Sequence, residues 1–490
     1  MKRVLNVETP NYINGKVKVS GWVNVVRAHG KILFIDLRDR TGILQVVFLP
    51  LAFTIDASAG KQETEIYNKV KEVRPEWVVE IIGEVVKRPP QMVNAKIPTG
   101  QIELVAKELK VLSEAKTLPF DVGTDGYETN EEIRMKYRYL DIRRERMHRN
   151  FKIRHEVFQF MRDFLSKEGF IEIETPNLTK STPEGARDFV VPSRLQPGTF
   201  YALPQSPQQY KQLLQVGGFE RYFQIARCFR DEDPRADRQA EFTQLDIEMG
   251  FVDREDVMEI NEKLMIAIVK NLFPEKQIQQ IPFPKITYQE SMEKYKTDKP
   301  DIRSDKSNDN LLAFCWIIDF PFFEKSETGG WIFTHNPFSA PKTEFMDSLM
   351  KQKNISEILA TQYDIVLNGC EIGGGSIRNH KPEALETVFE IMGYKKNRIK
   401  NNFGHMLEAF SYGAPPHGGI AYGFDRFLSV ILKEPNIREV IAFPKTGDSR
   451  DLMMDAPSGI DPKQLKELQL QLSPVKSSRK PAKKISKRKK

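Results

Sequence analysis

The chain has 490 residues, of which 40% are hydrophobic and 29% are charged, and its formal net charge is +7. The length predicts about three domains, and the proportions are typical of a globular protein. No apolar run reaches the roughly 18 residues that a membrane span needs, and none follows the basic residues at the start. We therefore expect a cytoplasmic protein without a membrane segment.

The three cysteines, Cys228, Cys315 and Cys370, are far apart and form no Cys-x-x-Cys pair. This spacing argues against a structural zinc site, so we expect no zinc. A sparse cysteine content is also typical of the reducing cytosol. We interpret the three side chains as small buried hydrophobic groups.

The first 112 residues predict a β-barrel. Apolar and polar residues alternate over several short stretches, as in strands with one buried face, and one stretch has helical spacing. The predicted strands are residues 17–25, 33–38, 43–48, 77–86 and 102–112, and the predicted helix is residues 62–73. Three strands, a helix and two strands match the five-stranded OB-fold, which binds oligonucleotides.

One aromatic residue of this region has charged neighbours on its predicted face. Alternation places Phe34 with Asp36 and Arg38, and sends Ile35 and Leu37 to the opposite face. An aromatic ring in such a place can stack on an unpaired base, which stabilises binding by about 1–3 kcal/mol. Alternation alone leaves an incidental surface aromatic equally open.

Residues 113–139 are polar and rich in turn residues, which predicts a linker. Residues 154–167 then carry apolar side chains at helical spacing. Gly169 ends that predicted helix, and residues 170–175 predict a strand. We place a large second domain of α+β type at residues 140–471.

The end of the chain differs from the rest in charge. Residues 474–490 contain nine lysines and arginines and no acidic residue, so the remaining chain has a net charge of −2. Such runs are usually disordered and often bind polyanions. We predict a basic, disordered tail at residues 472–490, and both a solubilising tail and an RNA-binding arm remain open.

Residues 229–246 combine a charged segment with a strand. Alternation puts Phe242, Gln244 and Asp246 on one face, which then lines a cavity or covers the surface. Just before the strand, Arg230 offers a guanidinium that can grip phosphoryl oxygens in two places. An ordinary edge strand beside a surface arginine is the alternative.

Residues 413–426 form a second distinctive segment, with the sequence GAPPHGGIAYGFDR. Its glycines allow close approach of the backbone to a ligand. Arg426 is predicted to open an apolar helix, and the start of a helix favours anions.

A predicted hairpin brings two carboxylates together. Asn368-Gly369 between apolar strands is typical of a two-residue turn. With that turn, Asp364 and Glu371 are diagonal neighbours about 7–8 Å apart on one face of the hairpin. Two close carboxylates repel one another unless a cation joins them, and Mg²⁺ suits one or two carboxylates plus phosphate oxygens. Two solvated surface acids are the alternative.

Two further cations lie outside these segments. Arg378 comes after the run Gly373-Gly374-Gly375, and Lys211 ends residues 205–211. Arginine is suited to a buried carboxylate because its planar fork donates two hydrogen bonds. Without the neighbouring motifs, both side chains would be interpreted as solvated surface residues.

Together, residues 229–246 and 413–426 resemble motifs 2 and 3 of the class II aminoacyl-tRNA synthetases, and their flanks resemble the bacterial aspartyl-tRNA synthetase family. The similarity extends over roughly residues 21–458 and includes residues 136–141 and 437–445. The resemblance implies an aspartate–tRNA ligase with an N-terminal OB-fold anticodon-binding domain. Its catalytic domain is expected to have an antiparallel sheet flanked by helices.

The family's substrates are ATP, L-aspartate and tRNA(Asp), and its metal is Mg²⁺. The helix and strand of residues 154–175 resemble motif 1, which implies a homodimer. Residues 181–189 resemble the family's mobile lid.

The resemblance also implies roles for single residues. Arg230, Arg426 and Glu371 are expected to be catalytic. The expected ATP ligands are Arg230, Glu232, Phe242, Glu371 and Arg426. The expected aspartate ligands are Glu184, Ser206, Gln208, Lys211, Gln244, Asp246, His335 and Arg378. The expected anticodon ligands are Arg27, Phe34 and Gln45, and the expected metal ligands are Asp364 and Glu371.

The chain departs from the bacterial pattern in three ways. The large domain that usually lies between motifs 2 and 3 is expected to be reduced to a short link near residues 303–311. Asn336 follows His335 where relatives have a second histidine. His29 stands where members that charge both tRNA(Asp) and tRNA(Asn) often have histidine, so tRNA(Asn) is a candidate second substrate.

Two kinds of alternative remain. An asparaginyl- or lysyl-type synthetase could share this architecture, although Arg378 and Lys211 suit neither substrate. A non-catalytic RNA-binding paralogue is the other.

Overall fold

The computed structural model describes residues 1–49, 60–181 and 184–473, without the side chains of residues 60–64. Residues 474–490 of the predicted tail lie outside the described residues, as do residues 182 and 183 of the predicted lid. The chain divides into two compact units, Met1–Gly126 and Tyr127–Lys490. Among the described residues, no helix has both the length and the apolar character that crossing a membrane requires.

The first unit consists of β1 (Lys16–His29), β2 (Ile32–Asp39), β3 (Gly42–Phe48), α1 (Gly60–Glu72), β4 (Val78–Lys87) and β5 (Ile102–Ser113). The strands form a closed five-stranded barrel with the order β1-β2-β3-β5-β4. This arrangement confirms the predicted OB-fold. Alternation fixes its core, because Ile35 and Leu37 are fully buried whereas Phe34 lies on the outer face and is partly buried.

The second unit is built on an eight-stranded sheet with the order β12-β14-β17-β18-β19-β10-β9-β6. Neighbouring strands are antiparallel except for the pairs β6·β9 and β12·β14. The strands of this unit are β6 (Ile171–Glu172), β7 (Val190–Pro192), β8 (Phe200–Ala202), β9 (Arg221–Phe229), β10 (Glu241–Gly250), β11 (Gln277–Ile278), β12 (Lys285–Thr287), β13 (Leu311–Leu312), β14 (Phe314–Ile318), β15 (Phe323–Lys325), β16 (Trp331–Phe333), β17 (Gln362–Leu367), β18 (Cys370–Ile377) and β19 (His417–Gly423).

Helices flank this sheet, as predicted for the α+β class. They are α2 (Glu131–Lys136), α3 (Arg138–Asp141), α4 (Glu145–Lys167), α5 (Gln208–Val216), α6 (Arg254–Leu272), α7 (Tyr288–Tyr295), α8 (Met346–Met350), α9 (Pro382–Ile391), α10 (Lys396–Ser411), α11 (Phe424–Leu432) and α12 (Pro462–Glu467). Residues 296–310 connect α7 to β13 as a short, turn-rich link.

The apolar face of the sheet forms the main core. Leu245 and Ile247 of β10 are fully buried there, together with Val157 of α4 and Leu264 of α6. The intervening residues of β10 therefore point to the opposite face, because side chains alternate along a strand. That opposite face carries the polar cluster described below.

Two elements differ from their predicted bounds. Helix α4 begins nine residues before the predicted start at residue 154, because its first turns bury polar side chains. Asn150, for example, donates to Glu434 at 2.7 Å. Strand β6 is limited to two residues because it lies at the sheet edge and pairs only with β9.

A buried ionic network ties α2, α3 and the start of α4 to Glu439, which follows α11 in the second unit. Asp141 accepts hydrogen bonds from Arg134 at 3.0 Å, from Arg138 at 2.7 Å and from Arg144 at 2.7 Å. Arg134 also binds Glu439 at 2.6 Å. All five side chains are nearly inaccessible to solvent, so each charge depends on its partners for stabilisation.

Candidate active site

The site is built on the polar face of β10. Gln244 and Asp246 share this face as predicted, Glu248 lies on it as well, and all three are buried. β10 lies between β9 and β19 in the sheet, so it is an interior strand and not an edge strand. The prediction of a cavity-lining strand is thereby confirmed over an ordinary edge strand.

Four buried charged side chains form a compact cluster on this face. Lys211 of α5 lies 2.6 Å from Asp246 and 3.1 Å from Glu248. Arg378 binds Glu248 through two parallel hydrogen bonds of 2.8 and 3.0 Å. A bidentate fork of this kind fixes the guanidinium in both position and orientation. Lys211 and Arg378 are therefore held beside one another in the interior.

Burial and charge set the ionisation of these carboxyl groups. Burial raises the pKa of Asp246 to about 6, although Lys211 opposes the shift. Burial also acts to raise the pKa of Glu248, but Arg378 and Lys211 together lower it to about 2. Glu248 is consequently ionised at neutral pH. The Asp246 oxygen Oδ2 has no hydrogen-bond partner within the described residues.

Glycines of β18 and β19 make room for this cluster. A Cβ atom on Gly419 would lie 2.2 Å from Oε2 of Glu248, and one on Gly374 would lie 2.6 Å from Oδ1 of Asp364. Larger residues at these positions would displace the carboxylates. The glycine-rich segments therefore serve close approach to charged side chains as well as to any ligand.

A cavity of about 220 Å³ adjoins the cluster along β10, β18 and β19. It brings together the five residues predicted to bind ATP, namely Arg230, Glu232, Phe242, Glu371 and Arg426. The Arg230 guanidinium lies 5.1 Å from the Phe242 ring centre. Helix α11 begins at Phe424 and not at Arg426 as predicted, so Arg426 lies within its first turn. Arg426 donates a hydrogen bond of 2.8 Å to the backbone oxygen of Glu371.

The predicted hairpin forms, with one difference. Asn368 and Gly369 both have positive φ, as in the predicted turn, and Val366 pairs with Glu371. A bulge between Ile365 and Val366 then shifts the register by one residue, so Asp364 pairs with Gly374. The two carboxylates still interact. Burial, and to a smaller extent the charge of Glu371, raise the pKa of Asp364 well above its usual value.

Several other predicted residues lie at the α5 end of the site. Glu184 accepts hydrogen bonds from Ser206 at 3.2 Å and from Gln209 at 3.3 Å. Gln208 begins α5, one turn before Lys211.

The ionisation of His335 is set by burial and by three of the predicted cations. Desolvation, followed by the charges of Arg378, Arg230 and Lys211, lowers its pKa to about 3. His335 is thus neutral at physiological pH.

Three buried residues of the site were not predicted, namely Glu248, Gln212 and His417. Alternation along β10 does place Glu248 on the polar face, but nothing in the sequence shows that it holds Arg378. Gln212 follows Gln208 by one helical turn, which is a weak signal of a shared face. His417 falls within the predicted glycine-rich segment and is fully buried.

The barrel carries the residues predicted to bind the anticodon. Arg27 is paired across the strands with Phe34, and Gln45 is paired with Asp36. Arg27 lies 2.5 Å from Asp36, which links the two pairs on the outer face. His29 is the exposed last residue of β1.

Comparison with known proteins places the chain in a family. The family described as "tRNA synthetases class II (D, K and N)" matches residues 130–447, and the family described as "OB-fold nucleic acid binding domain" matches residues 17–112. The chain belongs to the class II aminoacyl-tRNA synthetases. The resemblance predicted from the two motifs is thereby confirmed, and the chain is an aminoacyl-tRNA synthetase.

Relatives of this synthetase share most of its length. The Aspartate–tRNA(Asp/Asn) ligase of Caldanaerobacter subterraneus subsp. tengcongensis is 41% identical, over 94% of this chain and 96% of its own. The protein of the same name from Chlorobium phaeobacteroides (strain DSM 266) is 40% identical, over 96% of each chain. The first alignment spans 584 positions, more than this chain contains, so that relative has segments that the synthetase lacks.

Solved structures have the same fold. The asparaginyl-tRNA synthetase of Pyrococcus horikoshii with asparaginyl-adenylate has a TM-score of 0.71 and 22% identity, covering 91% of this chain and 98% of its own. The aspartyl-tRNA synthetase of Entamoeba histolytica has a TM-score of 0.70 and 22% identity, covering 91% of each chain.

Proposed function

We propose that this synthetase is an aspartate–tRNA ligase. The observation that carries the proposal is the pair of buried cations, Lys211 and Arg378, beside the cavity lined by the predicted ATP ligands. A substrate with a carboxylate side chain is stabilised next to these cations, whereas a neutral amide or an ammonium group is not. The names of the relatives described above support the same substrate.

The first step joins aspartate to ATP. An oxygen of the aspartate α-carboxylate attacks the α-phosphorus, the bond from that phosphorus to the bridging oxygen breaks, and pyrophosphate leaves with the electron pair. Arg230 would neutralise the charge on the α-phosphate, and Arg426 would hold the far end of the triphosphate. The protein contributes position and charge rather than a nucleophile.

The second step transfers the aminoacyl group to tRNA. A hydroxyl oxygen of the terminal ribose attacks the carbonyl carbon of aspartyl-adenylate, the bond to the phosphate oxygen breaks, and AMP leaves. The hydroxyl proton leaves with the phosphate or solvent. No protein residue needs to be covalently modified in either step.

The Asp364 and Glu371 carboxylates fit Mg²⁺. Burial and the nearby Glu371 charge raise the pKa of Asp364, and a divalent cation would relieve this repulsion. Glu371 also lines the ATP cavity, so an ion held there would lie beside the phosphates. When bound, Mg²⁺ would neutralise phosphate charge during displacement.

Replacing Glu371 by glutamine is expected to raise the Mg²⁺ concentration for half-maximal pyrophosphate exchange by roughly tenfold or more, because one of two anionic ligands is lost. Glu357, which lies in a short turn outside the cavity, provides the matched control. Its change to glutamine should leave the Mg²⁺ requirement unchanged. An equal requirement in all three proteins would contradict the assignment.

The barrel is proposed to bind the tRNA anticodon through Arg27, Phe34 and Gln45. Replacing Phe34 by alanine is expected to weaken tRNA binding by roughly tenfold, because base stacking on the ring is lost. Tyr12 is an exposed aromatic residue of the same unit, and its change to alanine is the matched control. Filter binding measures the affinity, while exchange without tRNA should be normal in both variants. A loss confined to Tyr12→Ala would contradict the proposal.

We infer that the synthetase forms a homodimer through the outer edge of β6. Among the described strands, none covers this edge of the sheet, and an open edge favours pairing with another chain. Ile171 and Leu178 are each 52% exposed nearby in sequence. A solution mass equal to one chain, measured by light scattering, would contradict the inference.

Aminoacylation tests the substrates. The purified enzyme with ATP, Mg²⁺ and either tRNA(Asp) or tRNA(Asn) is offered aspartate, asparagine or lysine, and the product is identified by mass. We expect aspartyl-tRNA(Asp). We also expect aspartyl-tRNA(Asn), in line with His29 and with the relatives' Asp/Asn name. Charging with asparagine or lysine instead would refute the proposal.

A further inference from the structure

Three buried polar side chains, those of His417, Gln212 and Gln208, form a hydrogen-bonded relay from β19 to α5. His417 Nδ1 lies 2.8 Å from the carbonyl oxygen of Pro415, and His417 Nε2 lies 3.1 Å from Nε2 of Gln212. Gln212 Oε1 accepts a hydrogen bond of 3.0 Å from Nε2 of Gln208. All three side chains are buried, with His417 and Gln212 fully so.

One backbone carbonyl fixes the direction of every hydrogen bond in this relay. The oxygen of Pro415 can only accept, so Nδ1 of His417 carries the proton. Burial lowers the pKa of His417 to about 4, so the ring is neutral and its Nε2 accepts from the amide of Gln212. The Gln212 oxygen is then free to accept from the amide of Gln208.

Gln208, which is expected to be an aspartate ligand, lies at the end of this relay. With its nitrogen donating to Gln212, Gln208 keeps its carbonyl oxygen Oε1 available, since the hydrogen bond that ties its amide into the relay is made by the nitrogen. A carbonyl oxygen attracts an ammonium group, whereas an amide nitrogen would repel it. If the hydrogen bonds of the relay ran in the opposite direction, Gln208 would offer its amide nitrogen to the ammonium group in place of its carbonyl oxygen.

We propose that His417 and Gln212 are positioning residues that orient the Gln208 amide so that its carbonyl oxygen receives the amino group of the substrate. The proposal rests on the proposed function, because it assumes an amino-acid substrate whose ammonium group approaches Gln208. It assigns a role in substrate selection to a histidine that need not touch the substrate. The Pro415 carbonyl sets the direction of the three hydrogen bonds, and this direction sets the orientation of the Gln208 amide.

A double-mutant cycle with Gln208→Met and Gln212→Met tests the relay in the full-length enzyme. Each single change is expected to raise KM for aspartate in pyrophosphate exchange by roughly tenfold, because a hydrogen bond to a charged group is lost. KM for ATP and kcat should change little. Since Gln212 acts through Gln208, the double variant should be no worse than Gln208→Met alone. His417→Phe, which keeps the ring volume, should behave like Gln212→Met.

Gln215 supplies the matched control. It is a buried glutamine on the same helix, and neither its nitrogen nor its oxygen has a hydrogen-bond partner among the described residues. Gln215→Met should leave KM for aspartate unchanged. Inhibition by succinate, which has aspartate's carboxylates but no amino group, should be equal in the wild type and in Gln212→Met.

The outcomes distinguish failure of the relay from failure of the proposed function. Additive effects of the two glutamine changes, an equal weakening of succinate, or a normal KM in both Gln212→Met and His417→Phe would overturn the relay. Absence of aspartate-dependent exchange in the wild type would instead refute the proposed function. If Gln212→Met does not fold, as judged by its thermal transition, His417→Phe carries the test.

Discussion

Replacing Arg378 by leucine is expected to lower kcat/KM for aspartate-dependent pyrophosphate exchange by roughly 10³-fold, equivalent to about 4 kcal/mol. The change removes a cation proposed to hold the substrate's side-chain carboxylate. It also leaves Glu248, which Arg378 grips with two hydrogen bonds, with Lys211 as its remaining ion-pair partner among the described residues. The repulsion between Glu248 and the incoming carboxylate adds to the loss.

Arg303 offers a matched control for this variant. It also grips a carboxylate in bidentate fashion, that of Asp301, but it lies in the link between α7 and β13. Arg303→Leu should leave exchange within about twofold of the wild type, because a partly exposed pair contributes little. Affinity for ATP, measured separately, should be retained in Arg378→Leu. A fall in exchange of less than tenfold would contradict the proposed role.

Replacing Asp141 by asparagine is expected to lower the free energy of unfolding by about 3–5 kcal/mol, as measured by denaturant titration. Three arginines, Arg134, Arg138 and Arg144, share this one buried carboxylate. Without its charge they repel one another in a site that solvent cannot reach. Asp163, an exposed residue of α4, provides the control, and Asp163→Asn should change stability by under about 0.5 kcal/mol.

The pH dependence of this difference follows from the pKa of Asp141. Burial alone would raise that pKa, but hydrogen bonds from Arg134 and Arg144 lower it below the usual value. A carboxyl group whose pKa is lower in the folded state stabilises that state at pH values above its unfolded pKa, which is near 4. This stabilisation is lost as the pH falls through the pKa of the folded state. The gap between wild type and Asp141→Asn should therefore be constant near neutrality and shrink below about pH 4. A gap that widens in acid would contradict the account.

Residues whose roles follow from local pattern were predictable from the sequence. Alternation separates Ile35 from Phe34 in the barrel and Leu245 from Asp246 in β10, because a strand with one buried face has a strict period of two. The Asn368-Gly369 turn was equally predictable, because few residue pairs accept positive φ twice.

Features set by tertiary contacts were not predictable. The bulge beside Val366 changes the partner of Asp364, and no sequence signal marks it. The early start of α4 was missed because Asn150 is buried by Glu434, which lies far along the chain. Gln212 and Glu248 would be read as solvated from one sequence alone, since polar residues are rarely buried without partners. Their partners lie far along the chain, because His417 begins β19 and Arg378 directly follows β18.

The most direct test of the acidic-substrate site compares two nearly isosteric amino acids in one reaction. Pyrophosphate exchange is measured with aspartate and with asparagine, and kcat/KM is determined for each. We expect aspartate to be favoured by roughly 10³-fold or more, because asparagine leaves Lys211 and Arg378 without a new anionic partner. Equal rates, or a preference for asparagine, would contradict the claim that these two buried cations select the substrate.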